Sequence, residues 1–148
     1  MAITPTFVAT ALERLPLPPS RLRVQPPNGR TLVNFATNFY TEREEFTRNV
    51  RLLGQRIELR ITPSRFTWHF DDGEIATTTS PGSAYPRLEV THDYLEAGGV
   101  SPSVDTTYTA EFRVGGGSWQ PVPGSVTIPG EAVGLEVVEA SPILVGYN

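Results

Sequence analysis

The chain has 148 residues, a formal net charge of -4 and no cysteine. That length suits one domain with an adequate hydrophobic core, and the lack of cysteine excludes a disulfide framework and thiol chemistry. The mild negative charge argues against nucleic acid as a partner, and no apolar stretch approaches the roughly 20 residues of a membrane span.

The N-terminal segment, residues 1–19, is predicted to be a short helix followed by a proline-rich connector. Thr4 suits the N-cap and Pro5 suits the first turn. A free helix of this length is marginal in water, so its apolar side chains must pack on something. We expect the segment to dock on the outer face of the following domain or on a partner, with Phe7 and Leu12 as candidate partner-binding residues. The connector is expected to hold the helix away from the sheet.

After a turn at residues 26–29, apolar residues recur at every second position, which is typical of strands with one buried and one solvated face. Seven or more such strands without a long helix predict an all-β, antiparallel sandwich over residues 20–148. Residues 42–51 are either an inserted loop or part of a hairpin that ends at Gly54. The positions predicted to face inward are Val33, Phe35, Phe39, Ile57, Leu59, Ile61, Phe66, Trp68, Phe70, Leu88, Val90, His92, Tyr94, Val104, Thr106, Tyr108, Ala110, Phe112, Val114, Val133, Leu135 and Val137.

Two short runs carry a family resemblance. Residues 66–73 read FTWHFDDG, and residues 91–94 read THDY. Together they resemble the signature of PKD domains, in which a tryptophan strand ends in Phe-Gly-Asp-Gly and a His-any-Tyr step follows. The resemblance covers about residues 30–114 and implies an immunoglobulin-like sandwich of the PKD type. The structural residues it implies are Trp68, Phe70, Gly73, His92 and Tyr94, with His92 bonded to the backbone of a turn.

Three carboxylates, Asp71, Asp72 and Glu74, surround the turn at Gly73. PKD domains have glycine where this chain has Asp71, so the turn holds an additional acid. In one interpretation Asp72 accepts backbone hydrogen bonds within the turn, while Gly73 adopts a positive φ. In the other, the three side chains contribute oxygens to a calcium ion, although calcium needs six to eight ligands.

Trp119 and the two histidines are the remaining candidates for a functional site. Trp119 follows the glycine-rich turn at residues 115–117 and is expected either to pack over a sandwich edge or to be exposed for a partner. His69 and His92 are predicted to point to opposite faces, so they offer no convergent metal site. No Ser, Cys or paired carboxylate shows a nucleophile or acid–base arrangement with them, so we expect no enzymatic activity.

The charge is unevenly distributed along the chain. Residues 1–65 hold ten arginines and five acidic residues, whereas residues 66–148 hold two arginines and eleven acidic residues. Early and late strands can pair through these charges within one sandwich. Alternatively, two oppositely charged surfaces can favour head-to-tail self-association.

The resemblance implies a non-catalytic module that binds or spaces proteins or glycans, similar to small secreted or cell-surface PKD-domain proteins of GC-rich bacteria. The alternative is a structural subunit of a surface filament or phage-like assembly, virion or cytoplasmic, that docks through its N-terminal segment. The first residues lack the basic region of a signal peptide, so an extracellular location requires that a leader was removed. No cofactor is expected, calcium being the one alternative.

Overall fold

The computed structural model describes residues 2–140, and the predicted end of the sandwich at residues 141–148 lies outside the described residues. One helix and twelve strands make this part of the chain mostly β, which agrees with the predicted all-β class with antiparallel sheets and a short N-terminal helix. The elements are α1 (Pro5–Glu13), β1 (Arg23–Gln25), β2 (Arg30–Leu32), β3 (Ala36–Tyr40), β4 (Phe46–Leu52), β5 (Gln55–His69), β6 (Ile75–Thr78), β7 (Thr91–Asp93), β8 (Gly98–Val100), β9 (Ser103–Val114), β10 (Gln120–Pro121), β11 (Val126–Ile128) and β12 (Leu135–Val138).

The strands form one long sheet and two small ones. The long sheet has the order β10-β9-β5-β4, with β11 pairing to β9 and β6 pairing to β5. The small sheets have the orders β1-β3-β7 and β2-β12-β8. Pairing is antiparallel except between β12 and β2. Across residues 2–140, no helix has the length and apolar character needed to cross a membrane.

Strands β5 and β9 pair along nearly their whole lengths, and a β-bulge interrupts the register between Pro63 and Arg65. Before the bulge, the odd-numbered residues from Ile57 to Ile61 are buried; after it, the even-numbered residues from Phe66 to Phe70 are buried. One additional residue in β5 reverses the alternation, so the apolar side chains stay on one face of the sheet. Pro63 suits this position because it lacks a backbone N–H.

A first core lies beneath the β4 end of the long sheet. Val8 and Leu12 of α1 pack there together with Leu17 of the connector. Their partners from the sheet side are Ile57, Leu59, Ile61, Tyr108, Ala110, Phe112 and Val122. The expectation that the connector holds the helix away from the sheet is therefore wrong, because Leu17 itself is buried in this core. The helix and the connector cover the inner face of the long sheet. The first core therefore contains residues from both predicted segments, 1–19 and 20–148.

The N-terminal end of α1 lies where the sequence predicted it. Thr4 Oγ1 accepts a hydrogen bond from the Phe7 backbone N–H at 3.1 Å, and Pro5 is the first helical residue. The N-cap satisfies one of the backbone donors that the first helical turn leaves unpaired.

A second core lies between the other half of the long sheet and both small sheets. Trp68 belongs to this core and is 1% exposed. Its Nε1 donates a hydrogen bond to Thr78 Oγ1 at 2.9 Å. The other buried members are Leu22, Phe39, Phe66, Phe70, Val90, Tyr94, Val104, Leu135 and Val137. Burial of Trp68 agrees with its predicted role as the anchor of a sandwich.

Residues 46–61 form the hairpin rather than an inserted loop. β4 pairs with β5 from Phe46 opposite Ile61 to Leu52 opposite Gln55. Leu53 and Gly54 connect the strands with φ angles of 51° and 76°. Two positive φ values in a two-residue loop match the right-handed twist of the strands that it joins.

Two residues that the alternation predicted to be buried are exposed. Phe35 is 44% exposed because Asn34, at φ 58°, ends the extended conformation between β2 and β3. Leu88 is 46% exposed because it lies in the loop before β7, which begins only at Thr91. The alternation of buried and exposed residues does not apply at either position, because neither residue belongs to a strand.

Candidate functional site

The turn after β5 is held by its own carboxylates. Asp72 Oδ1 accepts a hydrogen bond from the Glu74 backbone N–H at 3.1 Å, and Asp71 Oδ2 accepts one from the Ser101 N–H at 2.8 Å. Gly73 adopts φ 92°, a conformation that glycine accommodates without strain. The turn interpretation of Asp72 and Gly73 therefore agrees with the structure. Asp71, with φ 66°, joins this turn to the loop before β9.

His92 joins the two parts of the sequence signature. Its ring stacks on Phe70, with centroids 4.0 Å apart and planes 2° apart. Its Nε2 lies 2.6 Å from Asp72 Oδ2, in a hydrogen bond that the carboxylate accepts. The side chain is 14% exposed, so it is largely buried as predicted. The predicted partner is wrong, because His92 bonds a turn carboxylate and not a turn backbone group.

Tyr94 makes the backbone contact instead. Its hydroxyl donates a hydrogen bond to the Phe70 carbonyl at 2.8 Å, and the side chain is almost fully buried. Burial raises the pKa of the Tyr94 phenol well above its usual value, and the negative charges of Asp72 and Asp71 raise it further. Tyr94 is therefore a structural hydrogen-bond donor that stays protonated.

The three acids of the turn do not converge on a common point. Among residues 2–140, no group of three or more His, Cys, Asp or Glu side chains is placed to hold a metal ion. Both oxygens of Asp72 already accept hydrogen bonds, as does one oxygen of Asp71. Calcium would have to compete with these bonds and find further oxygens. The geometry therefore gives the carboxylates of Asp71 and Asp72 a structural use.

His69 lies on the opposite, outer face of the long sheet. Its Nε2 is 2.8 Å from Asp105 Oδ2 on the neighbouring strand β9. Each histidine is thus paired with one aspartate, and neither pair has a serine or threonine hydroxyl bonded to its imidazole in residues 2–140.

Trp119 packs over a pair of cross-strand ion pairs on the same outer face. Arg60 lies 2.7 Å from Glu111, and Arg113 lies 2.9 Å from Glu58. Both guanidinium groups lie over the indole, 4.2 and 4.6 Å from the ring centroid. Trp119 is half-buried in this stack, which agrees with packing over the sheet more than with a free surface tryptophan. The ion pairs also show early and late strands joined through their charges.

In comparisons with protein-family models, curated proteins and solved structures, nothing matches this chain.

Of the two candidate partner-binding residues in the helix, only Phe7 is accessible. Leu12 is 2% exposed and forms part of the first core, so its side chain is not free to contact another molecule. Phe7 is 40% exposed at the helix surface. The side chains of one helix thus divide between the core and the surface.

A patch of exposed apolar side chains is the most prominent surface feature beyond these residues. Phe35 and Leu88 lie beside Tyr85, which is 73% exposed. Together with Pro26 and Pro27 they line a groove of about 330 Å³. We call these five residues the aromatic patch. Contiguous exposed apolar surface is typical of interaction sites and not of inert surface.

The sequence held one signal for this patch. Alternation predicted Phe35 and Leu88 to be buried, while the turn residues around them, Asn34 and the run Pro26–Gly29, argued against a continuous strand. A large apolar residue beside a turn that ends a strand does not have to be buried, because the alternation of the strand does not extend to it. Tyr85 carried no such signal, because it lies outside every alternating run.

Proposed function

We propose that the chain is a non-catalytic, PKD-like module of the cell surface or of a secreted protein, which binds a protein partner and acts as a spacer. The aromatic patch carries the binding part of this proposal. Three large apolar side chains, Phe35, Tyr85 and Leu88, are exposed together on a domain that has two well-filled cores. Exposing them to water is unfavourable, and a partner that covers them removes that cost.

A protein partner fits the patch better than a glycan. Apart from the Tyr85 hydroxyl, the polar side chains in the groove are Gln25 and Asn38, and both make hydrogen bonds within the fold. Asn38 Oδ1 has no hydrogen-bond partner within residues 2–140, but it is buried and therefore out of a ligand's reach. Asn38 Nδ2 donates to Gln25 Oε1 and to the Ser83 carbonyl, while Gln25 Oε1 also accepts from the Tyr85 N–H. A sugar needs free hydrogen-bonding groups beside the ring on which it stacks. Aromatic and aliphatic surface, by contrast, is typical of the centre of protein interfaces.

The PKD-type part of the proposal rests on the signature contacts. The tryptophan strand β5 and the His-any-Tyr step meet through the His92–Phe70 stack and the Tyr94–Phe70 hydrogen bond. These contacts give Phe70, His92 and Tyr94 a structural use, although the hydrogen-bond partner of His92 differs from the one that the resemblance implies. They support a scaffold that presents surfaces to a partner.

A second candidate function, a structural subunit of a surface filament or phage-like assembly, is favoured by a different observation. Arginines gather at the β4–β5 turn, and carboxylates gather at the turn after β5. Opposite charges at the two ends of one strand suit repeated contact between copies. The predicted docking segment for this function, residues 1–19, is largely taken up by the first core.

The aromatic patch can be tested with a matched pair of double and single variants. The immobilised chain, its Tyr85→Ser/Leu88→Ser variant and a Leu95→Ser control are each exposed to surface-biotinylated proteins of the producing cells and, separately, to envelope polysaccharides. Leu95 is as exposed as Tyr85 but lies at a different surface loop.

We expect one protein to be retained by the native chain and by Leu95→Ser, and lost by the patch variant. Hydrogen exchange at residues 85–88 should slow when that protein binds. Equal retention by the patch variant, or retention of polysaccharide alone, would contradict the proposal.

A further inference from the structure

The two ends of strand β5 carry opposite charges. The strand spans 15 residues, which corresponds to about 50 Å. Arg51 and Arg56 lie at its beginning, beside the β4–β5 turn, and Asp71 and Asp72 follow its end. One molecule therefore presents a basic end and an acidic end that it cannot bring together itself.

The basic end contains an unfavourable pair. Arg51 and Arg56 occupy directly opposing positions across the β4–β5 hairpin. Like charges in such a pair destabilise the hairpin. Neither arginine, nor the nearby Arg14, lies within 4.0 Å of a carboxylate in residues 2–140. The one side-chain hydrogen bond of this pair within residues 2–140 runs from Arg51 Nη1 to the Gly54 carbonyl at 3.3 Å, so the repulsion is not offset by any carboxylate. An unfavourable charge pair without an acidic partner in the fold is typical of a functional surface.

A groove of about 440 Å³ opens beside these arginines, between α1 and β4. Apolar side chains form its wall, and Arg14 and Arg51 border it. The apolar residues are Phe7, Ala11, Leu15, Val50 and Leu52, with Thr10 beside them. We call this the basic groove. Its chemistry fits an apolar side chain that is followed by a carboxylate.

The loop after β7 supplies that chemistry at the acidic end. Leu95 is 74% exposed, and Glu96 follows it directly. Both line a surface cavity with Asp71, Asp72 and Glu74, and no lysine or arginine lines it. The exposed leucine thus lies within a group of negative charges.

We propose that the basic groove of one molecule binds the Leu95–Glu96 loop of a second copy. Leu95 enters the apolar part of the groove, and Glu96 and Glu74 face Arg51 and Arg14. Because groove and loop lie at opposite ends of β5, the contact is head-to-tail and leaves one free groove and one free loop in every dimer. Repetition produces a ring or a filament.

Two charge-reversal variants test the pairing. Arg14→Glu/Arg51→Glu reverses the charge on the groove side of the contact, and Glu74→Arg/Glu96→Arg reverses it on the loop side, so in each variant alone like charges face each other across the contact. The side chains of Glu74 and Glu96 make no hydrogen bond within residues 2–140, and Arg51→Glu places an acid opposite Arg56. Both variants should therefore fold, which circular dichroism and thermal unfolding can verify.

Sedimentation velocity over a concentration series gives the readout. We expect the native chain to associate, and to associate less as salt is raised. Each reversal variant alone should associate at least about tenfold more weakly, because like charges then meet at the contact. An equimolar mixture of the two variants should recover association. Leu95→Ser should weaken association without any change of charge.

The Tyr85→Ser/Leu88→Ser variant serves as the control, since the aromatic patch is not part of this contact. It should associate as the native chain does, even where it has lost a protein partner. The proposal is overturned if the native chain remains a monomer up to about 1 mM. It is also overturned if folded reversal variants associate normally alone, or fail to recover association when mixed.

Discussion

The imidazole of His92 lies flat against the phenyl ring of Phe70, with the ring centroids 4.0 Å apart. The two residues are 22 positions apart in sequence and belong to the two runs that resemble the PKD signature. His92 Nε2 lies 2.6 Å from Asp72 Oδ2, and the Tyr94 hydroxyl donates a hydrogen bond to the Phe70 carbonyl. One compact set of contacts therefore gives three residues of the motif, Phe70, His92 and Tyr94, a structural role.

The His92–Asp72 bond should contribute measurable coupling to stability. We expect a double-mutant cycle with His92→Phe and Asp72→Asn to give an interaction free energy of about 0.5–3 kcal/mol. Phenylalanine keeps the stack on Phe70 and removes the hydrogen bond. Urea unfolding of the four proteins provides the values. A coupling indistinguishable from zero would mean that the bond does not stabilise the turn.

Trp68 should be the most costly single truncation in the second core. Trp68→Ala removes a side chain that is 1% exposed and a hydrogen bond to Thr78. We expect a loss of about 3–5 kcal/mol in the free energy of unfolding. Thr78→Ala is the control for the hydrogen bond and should cost about 1–3 kcal/mol, because it leaves Trp68 Nε1 unpaired and also removes the bond from Thr78 Oγ1 to the Ser80 carbonyl. A loss below about 1 kcal/mol for Trp68→Ala would contradict the core assignment.

Calcium should not stabilise the domain. Because Asp71 and Asp72 already accept hydrogen bonds within the fold, we expect chelator and millimolar calcium to leave Tm unchanged. A reproducible rise in Tm with calcium, lost in Glu74→Gln, would show that the turn binds the ion. Glu74 is the informative position because its side chain, unlike those of the two aspartates, makes no hydrogen bond in the described structure.

Alkaline pH should destabilise the fold through Tyr94. Its folded pKa is raised, so the folded phenol stays neutral while the unfolded one ionises near pH 10. Unfolding then releases a proton, and stability falls as pH rises above about 10. Urea midpoints from about pH 8 to pH 11 should fall less steeply in Tyr94→Phe than in the native chain. The exposed Tyr85→Phe is the control, and equal slopes for all three proteins would refute the assignment.

Local sequence signals were sufficient for some features. The Thr4 cap, the Leu53–Gly54 hairpin turn and the burial of Trp68 all depend on residues near one another in sequence. Each has a short-range physical cause: an N-cap acceptor, a positive φ, or strict alternation within one strand. The cap and the burial of Trp68 were predicted from these signals, whereas the sequence left residues 42–51 open between an inserted loop and this hairpin.

Other features depended on long-range packing. The bulge after Pro63 keeps the apolar residues of both halves of β5 on one face of the long sheet. No local signal in the sequence indicates on which face those of the second half will lie. The position of α1 beneath the long sheet, and the stack of Trp119 on Arg60 and Arg113, depend on strands distant in sequence. The exposed surfaces are defined only after these elements are placed, so the aromatic patch and the basic groove could not be predicted.

The proposed contact between copies depends on the placement of α1, because the basic groove exists only where the helix packs beside β4. Unfolding of Leu12→Ala in urea tests that placement most directly, with the exposed Thr10→Ala as the matched control. We predict a loss of about 2–5 kcal/mol for Leu12→Ala, the value for a fully buried leucine, and a change within about 0.5 kcal/mol for Thr10→Ala. Equal stability of the two variants would contradict the packing of the helix into the first core.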